Sequence, residues 1–302
     1  VEDTLRAQLT HGDAIVATSG PILRHLLFND DHTLFNDQVI AHVRGMVANI
    51  ARQLLNAVAE QNGDQFHDQR ANTIAHFLFD DAAFLAHIHS LAVEALVAER
   101  LFQRAGIDPV RSPLLQFLSA SSDADIAAKA IRALAAQARF MQQQRRMEQS
   151  LNELPPGLFD SALGALENYL LRDPATVSAA VANLRETYDP AQRRVQQFAS
   201  LVSAMEHDAT EALEIDRAGL AIFATTLSQA NDQSRDTAIL SFGEKQAVRL
   251  AVELRAAGLD ASAVEEQMLV IHPEVALPEG FENLSIEQAA ALLVPAQTEA
   301  KA

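Results

Sequence analysis

The chain has no cysteine and no tryptophan, and only two tyrosines and three lysines in 302 residues. The missing cysteines remove disulfides, Cys-ligated zinc, iron–sulfur clusters and a thiol nucleophile together. They fit a reducing compartment, and the expected location is the cytoplasm. Runs of Val, Ile and Thr in period two are missing, so an extended sheet is not expected. Apolar runs are broken by charge well before the length of a bilayer span, so no membrane crossing is expected. No signal-like stretch opens the numbered chain. There is no G-x-G-x-x-G or Walker lysine motif, no Gly-x-Ser-x-Gly elbow, and no Glu-x-x-His pair of the ferritin-like di-iron kind. No cofactor is expected from these absences.

What is present is alanine and leucine. Apolar residues make up 49% of the chain, and Ala and Leu dominate them. Both lose little side-chain freedom in a helix. The expected class is all-α, long enough to bury a sizeable core without staples. Net charge is −17. Residues 1–150 carry 13 basic and 17 acidic side chains, and residues 151–302 carry 10 and 23. An acidic surface repels phosphate backbones, so nucleic acid is not an expected partner. Arg outnumbers Lys 20 to 3, which reads as a bacterial-like genome composition rather than as function. Eight of the ten histidines fall between His11 and His89.

Helix starts are written plainly. Ser112-Pro113, Asp173-Pro174 and Asp189-Pro190 each pair a capping side chain with Pro at the first helical position. Ser241 with Glu244, and Ser285 with Gln288, have capping-box spacing. Gly106 and Gly258 follow long periodic runs as stops. The pattern predicts helices over 34–61, 65–79, 81–105, 113–120, 123–150, 158–171, 174–187, 190–210, 212–230, 243–257, 260–271 and 285–294, with a loop over 272–284. Val39, Val43, Met46, Val47, Ile50 and Leu54 form the apolar face of the first. The strongest break is Leu154-Pro155-Pro156-Gly157. It coincides with the shift in charge and histidine content, so two subdomains are expected, 1–153 and 154–302. Arg139, Arg145 and Arg146 form the one basic cluster. Arg near a helix C-terminus is the favourable sign, so a solvated helix end accounts for it.

Two segments echo each other. His25-Leu-Leu-Phe28-Asn-Asp30-Asp31 is followed by Ile40-Ala41-His42-Val43; His76-Phe-Leu-Phe79-Asp80-Asp81 is followed by Leu85-Ala86-His87-Ile88. Repeats forty to fifty residues apart suggest stacked helical hairpins, each burying its neighbour's apolar face. On this period and pattern the chain loosely resembles HEAT-like helical-repeat proteins, mainly in its first half. The resemblance implies an irregular array of antiparallel hairpins and a binding scaffold with no catalytic residues to carry over.

The repeated set His25, Asp30, Asp31, His42 and His76, Asp80, Asp81, His87 offers imidazole and carboxylate in the mix that suits zinc, iron or manganese. Capping explains the same residues: Asp at a helix start complements the positive pole, and His near a helix end the negative one. His87 and His89 point about 200° apart on a helix and could not easily share a metal. His67-Asp68 and His207-Asp208 are dipeptides of the kind found in metal-dependent phosphohydrolases. Three functions stay open from sequence. The leading expectation is a non-catalytic helical scaffold whose partner is another protein. The others are a metal-dependent helical enzyme built on the first-half His and Asp residues, and a helical protein holding a small apolar ligand.

Overall fold

The computed structural model describes residues 1–28, 37–62, 68–169, 174–205 and 211–294. They are all-α, with no strand among them. The helices are α1 (Glu2–Phe28), α2 (Asp37–Asn62), α3 (Asp68–Asp80), α4 (Ala82–Ala105), α5 (Pro113–Ser119), α6 (Ala124–Arg145), α7 (Pro156–Tyr169), α8 (Pro174–Thr187), α9 (Arg194–Ala204), α10 (Ile215–Ala230), α11 (Arg235–Leu240), α12 (Ala247–Ala256), α13 (Ala261–Ile271) and α14 (Ile286–Leu293). Two compact units share the chain. One comprises Val1–Ala17, Val97–Ala130 and Leu201–Ala302, the other Thr18–Leu96 and Ile131–Ser200. All four crossings fall inside helices, in α1, α4, α6 and α9.

In the second of these units α2 is the central element, packed by α3, α7 and α8. Val43, Met46, Val47, Ile50 and Leu54 are wholly buried and Val39 nearly so, because they recur three and four apart on one face. The boundary expected at residue 154 lies inside this unit. Leu154 is fully buried, and its carbonyl accepts from the Tyr188 hydroxyl at 2.8 Å. The Tyr188 ring stacks on Phe159 at 4.0 Å. The Pro-Pro-Gly segment is therefore a local turn whose two sides pack in the same body.

In the other unit α10 is the buried axis, in contact with α5, α11 and α12, while α12 packs on α13 and α14. Gly219 breaks α10 with φ 68° and ψ 162°, a combination open essentially to glycine alone. The break brings the backbone against Ser112: a Cβ at Gly219 would sit 2.8 Å from the Ser112 Cβ. Ser112 in turn caps α5 through the Leu115 amide.

Several sequence expectations change in detail. Residues 2–28 form a helix that no expected segment covered. Thr10, Gly12, Thr18 and Pro21 dilute its pattern with residues of low helix propensity. The helix expected from 190 opens as a 3₁₀ turn, Pro190–Gln192, capped by Asp189, before α9 starts at Arg194. The expected 123–150 helix stops at Arg145, because Met147 turns left-handed and the Glu148 amide reaches back to the Gln143 carbonyl at 2.9 Å. Ser241 does not open a capping box: it closes α11, and its hydroxyl donates to the Ala238 carbonyl. The Ser285–Gln288 box is formed on both sides. By length and composition α4 alone among the described helices could cross a bilayer, although 61% of its most apolar window is buried within the protein. Unbroken apolar runs miss it, since a span tolerates one or two charges. The HEAT-like stacking rests on the sequence echo alone.

Candidate functional site

Among the described helices the first-half histidines sit on four: His11 and His25 on α1, His42 on α2, His76 on α3, and His87 and His89 on α4. Asp30, Asp31 and the His25 side chain lie outside the described residues, as do the side chains of His67, Asp68, His207 and Asp208. His42 is buried in α2, and its Nδ1 donates to the Gln38 carbonyl at 2.8 Å. His76 and Asp80 are exposed on α3. Asp81 caps α4 by accepting from the amides of Ala83 at 3.0 Å and Phe84 at 3.1 Å. His87 is buried in α4. Two residues on, burial pushes the His89 imidazole down to about 4, so it is neutral near pH 7. Among the described residues no three His, Asp or Glu side chains gather closely enough to hold a metal ion. Arg139, Arg145 and Arg146 are exposed at the end of α6.

Buried charge collects in two other places, neither of which the sequence pattern singled out. The first is closed. Arg194, at the start of α9, grips Glu94 of α4 with two parallel bonds of 2.7 Å. Its Nη1 also donates to Gln137 of α6 at 3.0 Å, and its guanidinium lies 3.8 Å from the centre of the Phe140 ring. The charges are paired, bidentate and stacked, which is how a buried ion pair avoids an uncompensated desolvation cost. This cluster ties three helices of one unit together and leaves no opening. Glu94 was visible as a lone acid in the apolar stretch Leu91–Val97, but its partner is 100 residues away.

The second place opens on a cleft of about 930 Å³ in the other unit, the size of a small-molecule site. Helix α1 lends it one stripe: Arg6, Leu9, Thr10, Asp13, Val16 and Ala17 recur three and four apart. Helix α14 adds Ala290, Leu292 and Leu293, and the following Val294 completes an apolar wall. Helix α10 ends in a left-handed turn at Asp232, with the Gln233 amide bonded to the Ser228 carbonyl at 3.0 Å, and the turn carries Asn231 to Gln233 to the rim. The polar end comes from Ser241, Gln246 and Arg249. Gln246 is fixed by donating to the Gly12 carbonyl at 2.6 Å.

Behind that polar end lies Glu253, one turn along α12 from Arg249 and without any exposed surface. Neither carboxylate oxygen has a well-formed hydrogen bond. Burial raises its carboxyl to about 7, against the smaller opposing pulls of Ser241, Arg249 and Gln233. The Arg249 Nη1 stands 3.9 Å from it, and the Nη2 of the same guanidinium holds Asp13 of α1. One cation thus serves two acids. A buried acid without good partners, next to a concave and partly apolar surface, makes this the candidate site.

Compared with family models, curated proteins and solved structures, the chain has no match.

Proposed function

We propose that this protein is a helical binding protein for a small amphipathic molecule, held in the cleft formed by α1, α12, α14 and the turn after α10. The observation that carries the reading is the cleft itself: a volume of about 930 Å³ with an apolar wall facing a polar end. Apolar surface supplies affinity, and a few fixed polar groups orient the ligand. The Ser241 hydroxyl on the cleft is already donated to the Ala238 carbonyl, so binding rather than covalent chemistry is the reading favoured. The test is calorimetric titration with 1-octanol, beside the variant Ala290→Phe. Ala290 is exposed on the cleft wall, so a phenyl ring there fills the cleft without entering the core. Saturable one-to-one binding, weakened at least tenfold in the variant, is the expected result. No saturable binding to the native protein would refute the reading.

A protein-interaction role keeps a second place because Phe117 is 70% exposed and Phe102 49% exposed. Single exposed apolar residues are ordinary, and a contiguous patch would be needed to lift this reading. A Phe117→Ser variant that leaves self-association and solubility unchanged would remove its support.

A further inference from the structure

We infer that the cleft is built for an amphipathic cation, an amine on an alkyl body, whose positive charge completes a site where Asp13 and Glu253 already share the single guanidinium of Arg249. The inference rests on the ligand-binding reading above and names the class of ligand. Three observations lead to it.

The charges do not balance. Arg249 is paired with Asp13 on one side and stands 3.9 Å from Glu253 on the other. The remaining charged side chains on the cleft, Arg6 and Asp232, are exposed and opposite in sign. The polar end therefore carries one more acid than base when Glu253 is ionised. A buried carboxylate has little water to compensate it, so a ligand cation is worth more there than at the surface.

The unmet acceptors have the matching sign. Both Glu253 oxygens are without a well-formed donor, and the Gln233 Nε2 is the one unmet donor beside them. Glu253 does not itself line the cleft, but Ser241, Gln233 and Arg249, which act on it, do. An ammonium group offers three donors and no acceptor. A carboxylate ligand would meet an arginine already committed to two acids.

The rest of the lining is an alkyl-sized wall. Leu9 and Val16 on α1 face the same space as Leu292 and Leu293 on α14. A chain of about eight carbons fits a site of this volume.

Ionisation of Glu253 and binding of the cation are then linked, and each favours the other. Arg249 on its own helix and Asp13 on α1 are the charged groups that act on Glu253. Arg235 of α11 is turned to the Thr225 hydroxyl of α10, and Arg255 of α12 to the carbonyls of Leu284 and Leu259. Lys245, Glu265 and Glu266 of the adjoining turn and α13, Glu287 of α14, and Asp216 and Arg217 of α10 are exposed. The described imidazoles of this unit, His11 and His272, do not line the cleft.

The experiment titrates the full chain with n-octylamine, 1-octanol and octanoate at pH 5.5, 7 and 8.5, for the native protein and Glu253→Gln. Octylamine should bind at least tenfold tighter than either of the others at pH 8.5. Its affinity should rise about tenfold from pH 5.5 to 8.5, and the rise should vanish in Glu253→Gln. Octanoate binding as tightly as octylamine, or a rise that survives the substitution, would overturn the inference. Octanol binding as well as octylamine would overturn it while leaving the ligand-binding reading intact. Binding of none of the three would remove both. Should Glu253→Gln not fold, calorimetry of the native protein at pH 6.5 in phosphate and in Tris decides instead. Proton release on octylamine binding supports the linkage, and no proton exchange refutes it.

Discussion

Two buried glutamates show how one residue type takes opposite characters. Glu94 is held by Arg194 through two bonds of 2.7 Å. Glu94→Gln would leave Arg194 a buried cation without its counter-ion, a change that costs about 3–5 kcal/mol. A urea titration should show the loss directly, and a change within experimental error would mean the pair contributes nothing. Glu253 has no such grip. Its folded carboxyl, raised to about 7 from an ordinary 4.5, takes up a proton more readily than in the unfolded chain. Its contribution to stability is therefore complete below pH 4.5 and is lost as pH rises through 7, by roughly 3 kcal/mol in all. Glu253→Gln should flatten this part of the stability profile and make the protein more stable than native at pH 8, as read from urea midpoints at pH 5 and pH 8. A variant less stable at pH 8 would show that the charged form is well compensated. Neither acid could be assigned from sequence, because Glu94 is held by Arg194 of α9, itself bonded to Gln137 of α6, and Glu253 shares Arg249 with Asp13 from the far end of the chain.

At the scale of elements, most of the fold was written locally. The six-residue apolar face of α2 appears where its spacing puts it, α8 runs from Pro174 to Thr187 as expected, and α4 and α12 end at glycines 106 and 258, both with positive φ. What failed was written by tertiary structure. Ser241 has the spacing of a cap, yet it is fully buried and spent closing α11. The stripe of α1 on the cleft was not read from the sequence, because threonine, glycine and proline obscure the helix that displays it. The break in α10 gives a sharp prediction. Gly219→Ala forces a side chain into a glycine-only conformation and against Ser112, so it should cost about 1–3 kcal/mol by thermal unfolding or urea. A neutral result would mean that α10 is straight. Helix α14 carries the apolar wall and is started by Ser285 and Gln288. Ser285→Ala should cost about 1 kcal/mol and raise amide exchange in α14 before it does so elsewhere.

For the whole molecule, the class was legible and the partition was not. Alanine and leucine without period-two runs leave helices as the way to bury this much apolar surface, and the described residues hold helices and no strand. The chain passes between its two compact units inside helices, where nothing in composition changes, whereas its most conspicuous break, Leu154 to Gly157, is a turn within one of them. The proposed ligand site falls on the other unit, whose cleft draws on the first seventeen residues and on the region from Ala230 onward. Hydrogen exchange read by mass spectrometry, with and without saturating n-octylamine at pH 8, tests that placement most directly. The account predicts added protection in peptides from α1 up to Ala17, from Ala230 to Ala256 and from α14, with α2, α7 and α8 unchanged. Protection centred on α2, α7 or α8, or none at saturation, would contradict it.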